Sequence, residues 1–301
     1  MDALTFDQIQ LLLAVVDEGS FSGAARKLRR AQSAVTYGIQ KLEEQVGLAL
    51  FDRSAYRPAL TETGRALLPR ARRIAEEAMA FRNQAKGLAG GLEAEISLVL
   101  DAMFPMPPVV SALRAFSERF PTVQPRIYVQ SLGAAAELVL NGTCMIGLLP
   151  FIFSDKAEIT RFPLLSVHLL PVVSKDHVLA KSKGLIPTDV MRQHVQLVLT
   201  DRSALTEGRD YGVLSPQTWR LADLGTKHAM LLAGLGWGNM PKHLVVDDIR
   251  SGRLKVIRPF EFQNQNVELI MGAVCLAERS LGPAAQWMMK HLVESSRGSS
   301  S

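Results

Sequence analysis

Between positions 29 and 57 the chain concentrates groups suited to binding a polyanion and reading its bases. Gln32, Ser33, Thr36, Tyr37 and Gln40 recur at helical spacing, Arg29 and Arg30 precede them, and Arg53 and Arg57 follow. A glutamine amide pairs bidentately with adenine, short hydroxyls reach bases or phosphates, and arginine neutralises a phosphate or enters a minor groove. Plainer roles compete with these. Ser33 can serve as a helix cap, Arg53 can bond its own fold, and Gln40 can be solvated. Arg70, Arg72 and Arg73 read as a solvated helix face rather than base contacts.

The charge pattern agrees. The 301 residues carry 34 Lys and Arg against 29 Asp and Glu, a net +5. Residues 1–25 hold four acids and no base, whereas 26–73 hold eleven bases against four acids, and the remainder is only +2. A local +7 suits a polyanionic partner better than the whole-chain total suggests. The start, MDALTFDQIQ, lacks a basic n-region, and no uncharged apolar run reaches the ~18 residues of a membrane span, so a soluble cytoplasmic protein is expected. Two cysteines, Cys144 and Cys275, make no disulfide framework. Both fall in apolar runs without a basic neighbour, which favours core packing over redox sensing.

The elements needed to position the reading groups are short helices. Thr5 and Gln8 form a possible capping box ahead of Phe6, Ile9, Leu12, Leu13 and Val16, and Gly19 and Ser20 end that helix. Ser22 is expected to cap a second helix containing Ala24, Ala25 and Leu28, and a third runs from about Gln32 to Val46. Three such helices bury their faces only by packing together. Leu48 to Leu60 fits a small two-stranded wing, and Thr61 caps a long helix through Leu67, Leu68, Ile74 and Met79, whose apolar stripe suits pairing with a second chain. Pro69 is expected to kink that helix, and the glycines at 87, 90 and 91 to end it.

Beyond Gly91, strands and helices alternate, which implies mostly parallel sheets covered by helices. The expected domains are 1–61, 62–90 and 91–301, the last split into one lobe of about 91–166 and 267–294 and another of about 167–266. Ligands of such folds bind beyond the strand C-termini. Candidate lining residues are Asp101, Ala102, Met103, Ser131, Leu132 and Phe151 from one lobe. Thr200, Asp201, Arg202, Ser203, Trp237 and Asn239 come from the other. Loop surface or lobe packing accounts for each equally well. Helix N-termini there favour an anion, Asp101 and Asp201 oppose one, and Arg202 attracts one, so the ligand's charge stays open. Gly234, Gly236 and Gly238 follow a helix and run into a strand, the wrong context for a dinucleotide fingerprint. No metal-ligand or catalytic constellation is visible, so neither a metal, a cofactor nor enzymatic activity is expected.

The stretches GSFSGAARKL at 19–28, QSAVTYGIQKLEEQVGLALFDR at 32–53 and LTETGRALLPRAR at 60–72 resemble the LysR-type transcriptional regulators. GLGWGNMPKHLVVDDIRSGRL at 234–254 extends the likeness more loosely. The resemblance implies a winged helix-turn-helix, a linker helix that dimerises in antiparallel fashion, and a two-lobed α/β effector domain built like a periplasmic binding protein. It implies reading of double-stranded DNA by Gln32, Ser33, Thr36 and Tyr37, with wing contact from Arg53. It also implies a small-molecule effector of unknown identity, a homodimer or homotetramer, and RNA polymerase as partner when the protein activates. The chain departs from the family pattern at Ser33, where proline is common, at Tyr37, where arginine is frequent, and at Met145, where aspartate is usual. The alternatives are a ligand-independent regulator, or a solute-binding or enzymatic α/β protein.

Overall fold

A computed structural model describes residues 4–52, 58–201, 203–263 and 267–298. The chain forms two compact units that divide between Ala89 and Gly90.

The first unit opens with α1 (Phe6–Glu18), α2 (Phe21–Leu28) and α3 (Gln32–Val46). Thr5 and Gln8 form the reciprocal capping box of α1, and Gly19 closes the helix in the left-handed region at φ 62°. The cap of α2 is Ser20, whose Oγ accepts from the Gly23 N–H at 3.0 Å. This corrects the expectation for Ser22: the residue that ends the turn after Gly19 is already extended and therefore takes the cap position. Ile9, Leu12, Val15, Ala24, Val35, Ile39 and Leu42 are buried together.

The wing consists of two-residue strands, β1 (Phe51–Asp52) and β2 (Ala59–Leu60), paired antiparallel. α4 (Glu62–Ala89) follows and runs through Pro69. The Thr61 hydroxyl accepts from the Gly64 N–H at 2.9 Å, as expected of the cap.

In the second unit, β3 (Glu95–Asp101), α5 (Met106–Arg119), β4 (Gln124–Gln130), α6 (Gly133–Leu140) and β5 (Ile146–Pro150) build the first lobe. A sixteen-residue strand, β6 (Ile159–Ser174), then crosses into the second. There it is joined by α7 (Thr188–Met191), β7 (Gln196–Leu199), β8 (Thr218–Leu221), α8 (Leu224–Leu232), β9 (Trp237–Pro241), α9 (Lys242–Arg250) and β10 (Leu254–Val256). β11 (Glu268–Leu276) returns to the first lobe and α10 (Pro283–Gly298) closes the fold.

The sheet order is β4-β3-β5-β11-β6-β9-β7-β8, with β10 beside β6. Each lobe's own strands are parallel, β3 with β4 and β5, and β7 with β8 and β9. The crossing strands pair antiparallel, so the sheet is mixed rather than mostly parallel. β6 pairs with β11 over Ile159–His168 and with β9 over Leu169–Val173, and one strand thus belongs to both lobes. Its start at Ile159 falls inside the stretch expected to belong wholly to the first lobe, and Thr160, Arg161 and Pro163 mask it in sequence because they break any alternation.

Candidate functional site

Two places in the molecule gather the residues singled out above. The first is the exposed end of α3. Ala31 is its cap and supplies no side-chain bond, so Ser33 lies inside the helix and does not cap it. Gln32, Ser33, Tyr37 and Gln40 are exposed, Tyr37 by 63%. Thr36 is half-buried, and its Oγ donates to the Gln32 carbonyl at 3.0 Å. Gln40 donates to Glu44 at 3.3 Å, and the Lys41 ammonium lies 5.9 Å above the Tyr37 ring. Val35, Ile39 and Leu42, on the opposite face, bind the helix to its core.

Arg29 closes α2 in the left-handed region and its side chain is exposed. Arg30 is engaged by Asp7 of α1 through two bonds of 2.7 Å, and the acid's carboxyl is held below its ordinary value by that guanidinium. Arg53 and Arg57 lie outside the described residues.

Two anchors of this unit escaped sequence reasoning. Glu43 Oε1 accepts from the Leu50 and Phe51 N–H groups at 2.7 and 3.0 Å, tying the wing to α3. Gly38 faces α1, where a Cβ would come within 2.2 Å of Leu11 Cδ1. A GxxxG-like or helix-spacing signal would have exposed the glycine; nothing local marks Glu43.

α4 carries Leu67, Ile74, Phe81 and Leu88 at intervals of seven residues, exposed by 36, 45, 73 and 49%. At 100° per residue these four stay within one narrow stripe. Leu68 and Met79 lie roughly 100–120° away from that stripe. The expected pairing set is therefore divided between two faces, and Phe81 and Leu88 belong with Leu67 and Ile74.

The second place is the cleft between the lobes. A cavity of about 360 Å³ is lined from the first lobe by Met103, Leu132 and Phe153, and from the second by Thr200, Asp201, Lys227 and Asn239. Several candidates lie elsewhere. Asp101 is 1% exposed and holds loops: its two oxygens accept from the Met103 and Leu132 N–H groups at 2.8 and 2.7 Å. Burial pushes its carboxyl up to about 7, against those two bonds. Ala102 joins the same turn, its N–H bonded to the Gln130 carbonyl at 2.8 Å. Ser131 donates to the Ala222 carbonyl at 3.3 Å. Phe151 packs on Gly272, where a Cβ would come within 2.1 Å of its ring, and Arg161 covers it at 5.5 Å. Trp237 is fully buried in a second-lobe cluster with Leu179 and Met191. Arg202 lies outside the described residues.

Asp201 does something sequence order alone does not reveal. Its Oδ2 accepts from the Ala134 N–H at 2.6 Å, at the start of α6 in the opposite lobe. Ser203 donates to the same oxygen at 2.9 Å, and Thr206 donates to Oδ1. The protein's own carboxylate thus fills the helix end that would otherwise attract an anion. Gly133 lets the loop approach this closely, since a Cβ there would come within 2.4 Å of Ser203 Oγ.

The Gly236 and Gly238 positions serve packing. A Cβ at each would come within 2.5 and 2.6 Å of the Val195 and Leu197 carbonyl oxygens of the neighbouring segment. The cysteines are buried, and burial pushes the Cys144 thiol up to about 11, which keeps it protonated. Among the described residues no cluster of His, Cys, Asp or Glu is arranged to hold a metal ion. Among them, too, no helix is long and apolar enough to cross a membrane.

Two family models match the stretches of chain that hold these two places. The family model described as bacterial regulatory helix-turn-helix protein, lysR family, matches residues 6–65, and the LysR substrate binding domain matches 89–297. The probable HTH-type transcriptional regulator YhaJ of Escherichia coli K12 is 30% identical over 309 positions, covering 96% of each chain. AceR of Acinetobacter baumannii, an HTH-type transcriptional regulator, is 27% identical over 302 positions, covering 96% of this chain and 97% of its own. The solved structure of CrgA from Neisseria meningitidis, a LysR-type transcriptional regulator, superposes with a TM-score of 0.51 at 21% identity, over 98% of this chain and 99% of that one. A winged reading helix joined to a two-lobed α/β unit, matched by both models along nearly the whole chain, places this protein in the LysR family of DNA-binding transcriptional regulators.

Proposed function

We propose that the protein binds sequence-specific sites on double-stranded DNA and that a small molecule held between its lobes sets its activity. The observation that carries this reading is the 360 Å³ cavity built from both lobes, within the size range of small-molecule sites. A ligand there touches Met103 and Leu132 on one side and Thr200 and Asn239 on the other, so it favours one lobe arrangement over another. It is bound and released, not turned over.

The stripe at Leu67, Ile74, Phe81 and Leu88 supports pairing of α4 with a second copy, giving a homodimer or homotetramer. Two copies of α3 then address half-sites about 34–36 Å apart or a multiple of that. RNA polymerase is the further partner where the occupied state activates, and the cytoplasm is where such a regulator meets its DNA.

The test combines a thermal-shift screen of metabolites with footprinting on a palindromic site upstream of the neighbouring gene. A ligand that raises Tm and alters the footprint is expected. A ligand that stabilises the protein yet leaves affinity and footprint unchanged favours a ligand-independent regulator, and absence of protection at any palindromic site removes the whole reading.

A further inference from the structure

Lys227 is a buried cation of the cleft whose chemistry the reading above does not use. It lies on α8, is only 4% exposed, and lines the cavity. Its stem passes over Gly238, where a Cβ would come within 3.1 Å of its Cε. Its Nζ donates to the Asn239 carbonyl at 2.8 Å, one bond for a group with three donors. Burial lowers its pKa to about 8, which leaves it mostly protonated at neutral pH.

The acids lining the cavity are committed elsewhere. Asp201 is held by Ala134, Ser203 and Thr206, and Asp210 by Arg220 through bonds of 2.7 and 2.9 Å. Among the described residues no carboxylate forms an ion pair with Lys227. Beside it, Asn239 Oδ1 is buried without a hydrogen-bond partner among the described residues. Much of the remaining wall is apolar, with Leu132, Phe153, Leu199, Leu224 and Leu269. A desolvated cation without a counter-charge is costly, and the cost is recovered when a ligand brings an anion to it.

We infer that the cavity selects a compact apolar molecule bearing one small anionic group, which ion-pairs with the Lys227 ammonium. A hydroxyl or amine N–H next to that group meets the Asn239 oxygen. The α6 end, closed by Asp201, is not the anion's seat. This rests on the cleft being a ligand site and adds the chemical class of its occupant.

The experiment compares three probes of similar shape at millimolar concentration on the full-length wild-type chain: phenylacetate, neutral phenylacetamide and cationic phenethylammonium. Thermal shift and calorimetry are the readouts. Phenylacetate is expected to bind at least ten-fold more tightly than the other two, and Lys227→Met to lose at least ten-fold of that affinity. Equal or better binding of the amide or the cation overturns the inference, as does a Lys227→Met protein that binds phenylacetate like the wild type, or no shift with phenylacetate at all. The wild-type comparison decides the matter even if the variant does not fold. A neutral or cationic metabolite that shifts the footprint leaves the ligand-controlled reading standing while removing this one. The ligand-controlled reading itself falls only if no metabolite shifts it.

Discussion

Asp101 places one backbone N–H on each carboxylate oxygen, from Met103 and from Leu132, and so fixes two cleft loops to the end of β3. Leu132 sits at φ 56°, a strained value for a non-glycine residue, and the carboxylate bond holds it there. An amide side chain has a single acceptor oxygen, so Asp101→Asn is expected to cost about 1–3 kcal/mol in urea unfolding. Acidity gives a second readout. Burial raises Asp101 from its ordinary 3.8 to about 7, with repulsion from Asp201 adding to the effect. The folded state therefore holds this proton more tightly than the unfolded chain. Its contribution is fully present below the unfolded value and is lost as pH rises through about 7. Wild-type stability should fall between pH 4 and 7, by up to about 1.4 kcal/mol per pH unit, and Asp101→Asn should flatten that slope. Sequence order had put Asp101 in the right turn, since an acid after a strand end is visible in one dimension. Its job is not visible, because both its partners are backbone groups. Lys227 shows the opposite case: with Leu224 and Leu231 it shares one helical face, so a lysine on a buried stripe was there to be read.

The elements show where local signals suffice and where they fail. α1 carries its capping box, and α1 and α3 both carry their stripes and closing glycines, within their own sequence, and the structure reproduces their expected limits. β6 does not, because it serves one lobe with its first half and the other with its second, so no single period describes it. Gly64 tests how closely α4 sits on the wing. A Cβ there would come within 2.2 Å of the Leu50 carbonyl oxygen. By helix propensity alone, Gly64→Ala should stabilise by ~1 kcal/mol. The backbone clash reverses the sign, and a loss of about 1–3 kcal/mol is expected in thermal or urea unfolding. The long helix makes a second prediction. Ile74→Glu with Phe81→Glu places two charges on the stripe of four, whereas Met79→Glu places one on a different face. Each apolar side chain buried in a pairing interface contributes roughly 1.5–3 kcal/mol. The double variant should therefore dissociate at least a hundred-fold more readily in sedimentation equilibrium, and Met79→Glu should assemble as the wild type does.

At the scale of the molecule, the charge blocks of the sequence do not survive folding as blocks. Three of the four early acids meet bases from the basic stretch: Asp7 with Arg30 at 2.7 Å, Asp17 with Arg72 at 2.7 Å, and Glu18 with Lys27 at 2.8 Å. These are exposed pairs worth little in stability, but they set how much positive charge each arginine can offer to phosphate. The sequence displays both blocks and hides the pairing, because contacts 23 and 55 residues apart carry no local signature. Arg29 and Arg30, adjacent in the chain, consequently differ in the fold: Arg29 ends a helix with an exposed side chain, and Arg30 is already held by Asp7. Each phosphate contact contributes nearly one to the slope of log K against log salt. Arg29→Ala should weaken DNA binding about equally on all sequences and reduce that slope by about one in anisotropy titrations from 50 to 200 mM salt. Arg30→Ala should change it by less, since its charge is partly spent on Asp7. Gln32→Ala should behave differently from both, costing about 1–3 kcal/mol on the preferred site while leaving the slope unchanged. If Arg29→Ala altered sequence preference at constant slope, the division between phosphate-binding joint and base-reading helix would have to be redrawn.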